Sequence, residues 1–128
     1  MAHRIKGMLK INIRVKELQP ALDVFANLFD ATLIQNRGGD TIGDFDGATV
    51  DMSGTVLDFV APNTPDSVVG KTIEKRGEGV DSIAFEVENI EDTAAALKAR
   101  GIDLINRHEI RGNKVGFVHP KNACGVLV

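Results

Sequence analysis

Apolar and polar residues alternate in two stretches of this chain, and the second stretch repeats the pattern of the first 72 residues later. In the later stretch, which begins at Val80, a period near two predicts a half-buried strand. The face opposite its apolar residues carries Ser82, Ala84 and Glu86. The earlier stretch predicts a strand over about residues 8–15, with Lys10, Asn12 and Arg14 on its polar face. Such a repeat predicts that two similar strand–helix–strand units make up most of the chain.

A helix is predicted after each of these strands. Asn89 is a good N-cap, and the acidic residues that follow it suit the positive end of a helix dipole. Gly101 predicts the end of that helix. In the earlier unit, Pro20 suits a first helical turn, and apolar residues then recur at helical spacing, namely Leu22, Phe25, Ala26 and Phe29.

Short apolar runs predict the remaining elements. Strands are expected at about 31–35, 48–52 and 55–61 in the earlier unit, and at 102–105, 114–119 and 125–128 in the later unit. Asp66 is the expected cap of a short helix that ends near Arg76. We therefore predict one domain over residues 1–128, built from a first βαβββ module (8–62), a connection (63–79) and a second βαβββ module (80–128).

Composition excludes several classes of function. The net charge of −3 and the pI near 5.6 give no reason to expect nucleic acid or an anionic membrane as a partner. The single cysteine excludes an internal disulfide framework. No apolar run has the length of a membrane span, and the first ten residues lack the apolar centre of a signal peptide. A cytoplasmic protein is expected.

Two motifs carry a resemblance to a known family. The segment KRGEGVDSIAFEVENIE and the closing HPKNACGVLV, on the doubled strand–helix–strand plan, resemble the vicinal oxygen chelate superfamily. Within it, the chain is most similar to the methylmalonyl-CoA epimerases and their glyoxalase-type relatives. The resemblance implies an α+β fold in which two βαβββ modules form an open, curved sheet barrel around a cavity for a small molecule. It also implies a homodimer.

The resemblance implies a metal site, and the sequence departs from that pattern. The family has histidines at the positions of Lys10 and Ser82, a Gln or Glu at the position of Asp58, and a Glu immediately after the closing GVLV. Only Asp58 keeps a ligand type, and an ammonium at Lys10 repels a cation and has no lone pair. We therefore expect neither a metal nor another cofactor. A divalent metal would require ligands to join Asp58 that this sequence does not contain.

The chemistry of the family gives the candidate site residues. Epimerisation next to a thioester needs an acid/base on each face of the carbon and an electrophile for the enolate oxygen. The family places one base near residues 39–41, where Asp40 is the only carboxylate. The candidate catalytic residues are therefore Lys10, Asp58 and Asp40, with Asn12, Arg14, Ser82 and Glu86 as candidate ligand-binding residues. We expect the ammonium of Lys10 to lie within salt-bridge reach of Asp58, with Ser82 as a further acceptor.

Three functions remain open from the sequence. The first is an enzyme of the epimerase or isomerase type, either metal-dependent or using a cation of its own. The second is a metal-free protein that binds or sequesters a small anionic ligand between Lys10, Asn12 and Arg14. Against the second stands a structural alternative, in which Lys10 and Arg14 only form ion pairs or emerge at the mouth of the barrel. The third is a dimeric interaction scaffold, for which the sequence has no positive signal.

Overall fold

The computed structural model describes residues 4–36, 45–110 and 112–128, and its chain divides into two compact units. The first unit comprises Lys10–Asp81, and the second comprises Met1–Leu9 together with Ser82–Val128. The α-helices and strands, in chain order, are β1 (Ile5–Arg14), α1 (Leu18–Phe29), β2 (Thr32–Asn36), β3 (Phe45–Met52), β4 (Thr55–Pro62), α2 (Val68–Arg76), β5 (Gly79–Val87), α3 (Ile90–Lys98), β6 (Ile105–Ile110) and β7 (Asn113–Phe117).

The strands of the first unit form a sheet in the order β2-β3-β4-β1. β3 is antiparallel to both β2 and β4, whereas β1 runs parallel to β4. Alternate residues on one face of this sheet are apolar and form the core with α1, which contributes Leu22 and Phe25. The ring of Phe25 meets that of the fully buried Phe59 edge-on at a centroid distance of 4.9 Å. The core leaves the opposite face of the sheet for polar residues.

Two predictions in the first unit need correction. β1 begins at Ile5 rather than near residue 8, so the strand extends further toward the N-terminus than predicted. The cap of α2 is Ser67 rather than Asp66, and its buried hydroxyl accepts a hydrogen bond from the Gly70 amide at 2.9 Å. A one-residue error of this kind arises because serine and aspartate cap equally well.

The second unit contains the start of β1, which lies beside β5, followed by α3 and the hairpin of β6 and β7. The Glu88 amide donates to the Arg4 carbonyl at 3.1 Å, which joins the two strand ends. As predicted, Asn89 caps α3, because its side chain accepts from the amides of Glu91 and Asp92. Gly101 follows the helix with a φ of 80°, a conformation that glycine adopts without steric cost.

The end of the second unit differs from the prediction. The predicted strand at 102–105 is displaced, because β6 covers the polar residues 105–110 and 102–104 is not a strand. Backbone pairing with β7 makes β6 a strand although its middle residues are exposed and polar. Residues 125–128 are also not a strand, although the Val118 amide donates to the Val128 carbonyl at 2.8 Å and the Ile83 amide to the Leu127 carbonyl at 3.1 Å. The terminal segment is thus held by isolated backbone bonds instead of a ladder.

The mixed α+β class predicted from the sequence is confirmed. The predicted domain and module boundaries stay a prediction. Across residues 4–36, 45–110 and 112–128, the longest helix has 12 residues, and none has the length and apolar character that crossing a membrane requires.

Candidate functional site

An ion pair between two of the predicted site residues lies on the polar face of the first unit. The ammonium nitrogen of Lys10 on β1 is 2.6 Å from Oδ2 of Asp58 on β4. In the parallel pairing of these strands Asp58 is opposite Asn12, so Lys10 reaches it diagonally from two residues earlier on the same face. The expected contact between Lys10 and Asp58 is confirmed.

Thr49 on β3 completes this contact from the other side. It is the register partner of Asp58 in the antiparallel pairing of β3 and β4, and its hydroxyl donates a short hydrogen bond to Oδ1. Each carboxylate oxygen of Asp58 therefore accepts from a different neighbour. The alternation in residues 48–52 indicates that Thr49 faces away from the apolar core, but the sequence does not indicate that Asp58 is its partner.

The two side chains of the ion pair differ in their exposure to water. The side chain of Asp58 is 5% exposed, whereas that of Lys10 is 34% exposed. An ammonium has three N–H donors, so Lys10 can satisfy the buried carboxylate with one donor and direct others toward a ligand or solvent. A buried carboxylate without such partners would be costly, which gives the contact with Lys10 a large part in the energetics of this face.

The register extends this arrangement across the sheet. Gln35 on β2 is opposite Thr49, after an irregularity in the pairing of β2 and β3. Successive cross-strand partners are thus Gln35, Thr49, Asp58 and Asn12, which we call the polar row. Four neighbouring strands place one polar side chain each in this row, opposite a face whose residues form the core.

Arg14, which follows Lys10 and Asn12 on the same face of β1, is held by backbone carbonyls. Its Nε donates to the Gly77 carbonyl at 2.9 Å and its Nη1 to the Val80 carbonyl at 2.8 Å, while the carboxylate of Asp81 lies 3.5 Å from Nη1. These contacts give the largely buried guanidinium a structural task in linking β1 to the start of β5. A ligand-binding role for Arg14 stays a prediction.

Of the other four predicted site residues, Asn12, Ser82 and Glu86 belong to described strands. Ser82 is a buried residue of the second unit, and Glu86 is exposed there and forms an ion pair with Lys6 at 3.2 Å. Asp40 lies outside the described residues. Asn12 is half-buried within the polar row. Roles in catalysis or ligand binding for all of these residues stay predictions.

The geometry around Asp58 does not fit a divalent metal. Both carboxylate oxygens already accept from protein donors, and one of these donors is the positive ammonium of Lys10. Zinc and related ions require several converging lone pairs from imidazole, thiolate or carboxylate groups. Within residues 4–36, 45–110 and 112–128, no three or more His, Cys, Asp or Glu side chains form a group that could hold a metal ion.

Comparison with known families identifies the class of protein that this fold and this face of the sheet represent. Residues 10–117 match the model of the Glyoxalase/Bleomycin resistance protein/Dioxygenase superfamily. The matched segment includes the complete polar row and extends through β7. The chain therefore belongs to this superfamily, as its resemblance to the vicinal oxygen chelate proteins predicted.

The chain is also similar to individual proteins. It is 26% identical to the mitochondrial methylmalonyl-CoA epimerase of Dictyostelium discoideum over 134 aligned positions, which cover 95% of this chain and 77% of that protein. It is 35% identical over 75 residues to the uncharacterized protein YqjC of Bacillus subtilis. That shorter match covers 56% of this chain and spans about half, 54%, of the length of YqjC.

Solved structures agree with the sequence comparison. The methylmalonyl-CoA epimerase of Mycobacterium tuberculosis superposes with a TM-score of 0.83 at 25% identity, covering 96% of this chain and 85% of that one. A methylmalonyl-CoA epimerase in complex with methylmalonyl-CoA and NH4+ gives a TM-score of 0.81 at 25% identity, covering 97% of this chain and 92% of that one. The predicted fold of the superfamily is confirmed.

Proposed function

We propose that this protein is an isomerase of the epimerase type, which moves a proton at the carbon next to a thioester or similar carbonyl group. The observation that carries the proposal is the ion pair of Lys10, whose ammonium is held by the buried Asp58 while its side chain as a whole is one-third exposed. The similarity to methylmalonyl-CoA epimerases in sequence and structure supports the reaction class. The substrate proposed is a small acyl-CoA thioester.

The proposed chemistry places negative charge on an oxygen that Lys10 can stabilise. A base removes the proton next to the carbonyl, and the electron pair of the broken C–H bond forms an enolate whose oxygen accepts from the ammonium of Lys10. Delivery of a proton from water to the other face of the same carbon gives the epimer, and the base returns the abstracted proton to solvent. Donors that are fixed before the reaction stabilise such an oxyanion without reorganisation. Asp40 is the proposed base, on the family resemblance alone.

We further propose that Lys10 supplies the positive charge at this site and that no divalent metal is required. The contacts of Asp58 support this proposal, because both of its carboxylate oxygens already accept from protein donors, one of them the ammonium of Lys10. Treatment with a chelator should leave the activity unchanged. A loss of more than tenfold that zinc, cobalt or manganese restores would contradict the metal-free mechanism.

Hydrogen exchange tests the proposed reaction directly. The full chain is incubated with a racemic 2-methyl acyl-CoA in D2O, and deuterium at the carbon next to the thioester is measured by mass spectrometry. We expect exchange with the native protein and a loss of at least about 100-fold in Lys10→Met, the usual scale for removal of an oxyanion donor. Lys16→Met is the matched control, because Lys16 is an exposed lysine just after β1. Absence of exchange in the native protein refutes the epimerase proposal.

A metal-free binding protein is the second candidate function. It is favoured by the state of Asp58, which is 5% exposed and accepts from both Lys10 and Thr49, so it is poorly placed to take a proton from a substrate. Binding needs the exposed donors of Lys10 but no base. Titration of the native protein with an unreactive acyl-CoA by calorimetry would then show binding, while the exchange experiment shows no deuterium.

A further inference from the structure

We propose that Asp58 and Thr49 are positioning residues that adapt Lys10 to a neutral carbonyl oxygen rather than to a carboxylate. The inference deepens the proposed function and rests on it for the role of Lys10 as the group that touches the ligand. It concerns whether Lys10 binds a neutral carbonyl oxygen or a carboxylate oxygen more tightly. The charge and the geometry of Asp58 and Thr49 determine this preference.

The first step is the charge of the site. Lys10 and Asp58 are separated by 2.6 Å, and together they carry no net charge. A carboxylate ligand would approach the ammonium and the buried Asp58 carboxylate at once, so repulsion by Asp58 offsets much of its attraction to Lys10. A neutral carbonyl oxygen loses little to that repulsion, and it still accepts a charge-assisted hydrogen bond.

The second step is the geometry. Oδ2 of Asp58 takes one of the three donors of Lys10 and thereby fixes the direction of the other two. Oδ1 is bonded by the hydroxyl of Thr49, so the carboxylate itself is fixed on both sides by neighbouring strands. The ammonium of Lys10, on a side chain that is 34% exposed, consequently presents an oriented pair of donors, whereas a free lysine is a mobile point charge.

Two small ligands with the same acyl group test the inference. S-methyl thiopropionate provides a neutral thioester carbonyl, and propionate provides a carboxylate. Binding is followed by NMR through the ammonium signal of Lys10, assigned by its loss in Lys10→Met. In the native protein we expect the thioester to shift this signal, with an affinity at least tenfold higher than that of propionate. Equal affinities, a preference for propionate, or a signal that neither compound shifts would overturn the inference.

Variants of the positioning residues separate charge from geometry. Asp58→Asn removes the counter-charge, so propionate should bind at least tenfold more tightly than it binds the native protein. Thr49→Val keeps the shape and the charge of the site but loses the hydroxyl. It should weaken thioester binding severalfold with the thioester still preferred, and Thr49→Ser should restore it. Thr55→Val, an exposed threonine on β4, is the matched control and should change nothing.

Each variant can contradict the inference separately. If Asp58→Asn does not fold, the inference is still tested by the two ligands on the native protein and by Thr49→Val. Thioester binding by Thr49→Val that equals native binding refutes the role of Thr49. Failure of this inference is also distinguishable from failure of the epimerase proposal, which the hydrogen-exchange experiment tests. Carbonyl selectivity without deuterium exchange supports the inference and refutes the epimerase reaction. Deuterium exchange without carbonyl selectivity supports the epimerase reaction and refutes the inference.

Discussion

At the scale of single residues, the energetics of the site depend on Asp58, because its carboxylate is almost completely removed from water while Lys10 is not. The side chain exposures of 5% and 34% mean that the loss of Lys10 leaves a buried acceptor with one donor fewer, whereas the loss of Asp58 leaves an ammonium that water can reach. Loss of Lys10 and loss of Asp58 should therefore change the free energy of unfolding by different amounts.

This asymmetry gives a stability prediction. Lys10→Met, which keeps most of the aliphatic stem, should lower the free energy of unfolding by about 1.5–3 kcal/mol, the range for a hydrogen bond to a charged group. That is less than the loss for a fully buried pair, because water reaches the Lys10 side. Urea denaturation measures the effect, and the double variant Lys10→Met with Asp58→Asn should recover part of it. A loss of less than about 0.5 kcal/mol would mean that the pair behaves as a surface ion pair.

Local patterns predicted the individual residues better than their partners. The alternation at Lys10 and Asn12 correctly indicated the polar face of β1, and the family resemblance indicated the contact with Asp58. Thr49 was not predicted as a site residue because its role depends on the register between β3 and β4, which local alternation does not determine. The carbonyl partners of Arg14 lie 63 and 66 residues away along the chain, so no local pattern contains them.

At the scale of helices and strands, side-chain capping explains why α2 and α3 form although each has only nine residues. Isolated helices of this length are marginal in water, so their first unpaired amides need acceptors. Ser67 and Asn89 provide them. α1, with 12 residues, has Glu17 at its N-cap position without a side-chain hydrogen bond and instead packs Leu22 into the core. Burial thus substitutes for capping in the longest helix.

Removal of the α3 cap should destabilise the protein measurably. Asn89→Ala leaves the amides of Glu91 and Asp92 without their acceptor, and we expect a loss of about 1 kcal/mol in the free energy of unfolding. Asn89→Ser should retain most of the stability, since serine also caps well. Asn122→Ala is a control at an exposed asparagine. Chemical denaturation with equal losses in Asn89→Ala and Asn89→Ser would argue against capping as the cause.

The pairing of α3 with β6 has a pH-dependent component. Both oxygens of Glu91 accept from Nη2 of Arg107, at 2.6 and 2.7 Å, and this hydrogen bonding lowers the pKa of Glu91 below its ordinary value. A group with a lowered folded-state pKa contributes stability above its unfolded-state pKa and loses it as the pH falls through the folded-state pKa. The stabilisation is therefore present at neutral pH and disappears in acid.

An NMR titration of the Glu91 carboxyl checks this direction. Its midpoint in the native protein should lie below that in Arg107→Gln, while Arg100→Gln should leave it where it is. Because both side chains are substantially exposed, high salt should move the native midpoint upward. A midpoint that neither Arg107→Gln nor salt changes would show that the ion pair is not maintained in solution.

Sequence patterns predicted the bounds of helix α3 more accurately than those of the last strands. Asn89 and Gly101 bound α3 locally, so the prediction needed no knowledge of tertiary contacts. The prediction for the segment of β6 was wrong, because its exposed, polar residues form a strand only through pairing with β7. Residues 125–128 have strand-like composition but only isolated backbone bonds. A strand needs a partner along its length, and that partner is not encoded within the strand itself.

At the scale of the whole molecule, the proposed assembly follows from surfaces that one chain leaves uncovered. In the part of the chain that the structure describes, β2 is an edge strand of its sheet. Its residues Leu33 and Ile34 are 51% and 58% exposed, and Leu28 and Phe29 at the end of α1 are 69% and 53% exposed. Apolar side chains next to an open strand edge favour pairing with another chain.

We therefore expect a homodimer that uses the β2 edge. A closed twofold pair would cover the same edge in both copies and leave no strand open to further addition. Light scattering at tens of micromolar should give about twice the chain mass of 13.8 kDa. Ile34→Lys should weaken the dimer at least tenfold, because a charge would have to be desolvated at the contact, while Gln19→Lys on α1 should not. A monomeric native protein would refute the dimer, and a dimer insensitive to Ile34→Lys would place its interface on another surface.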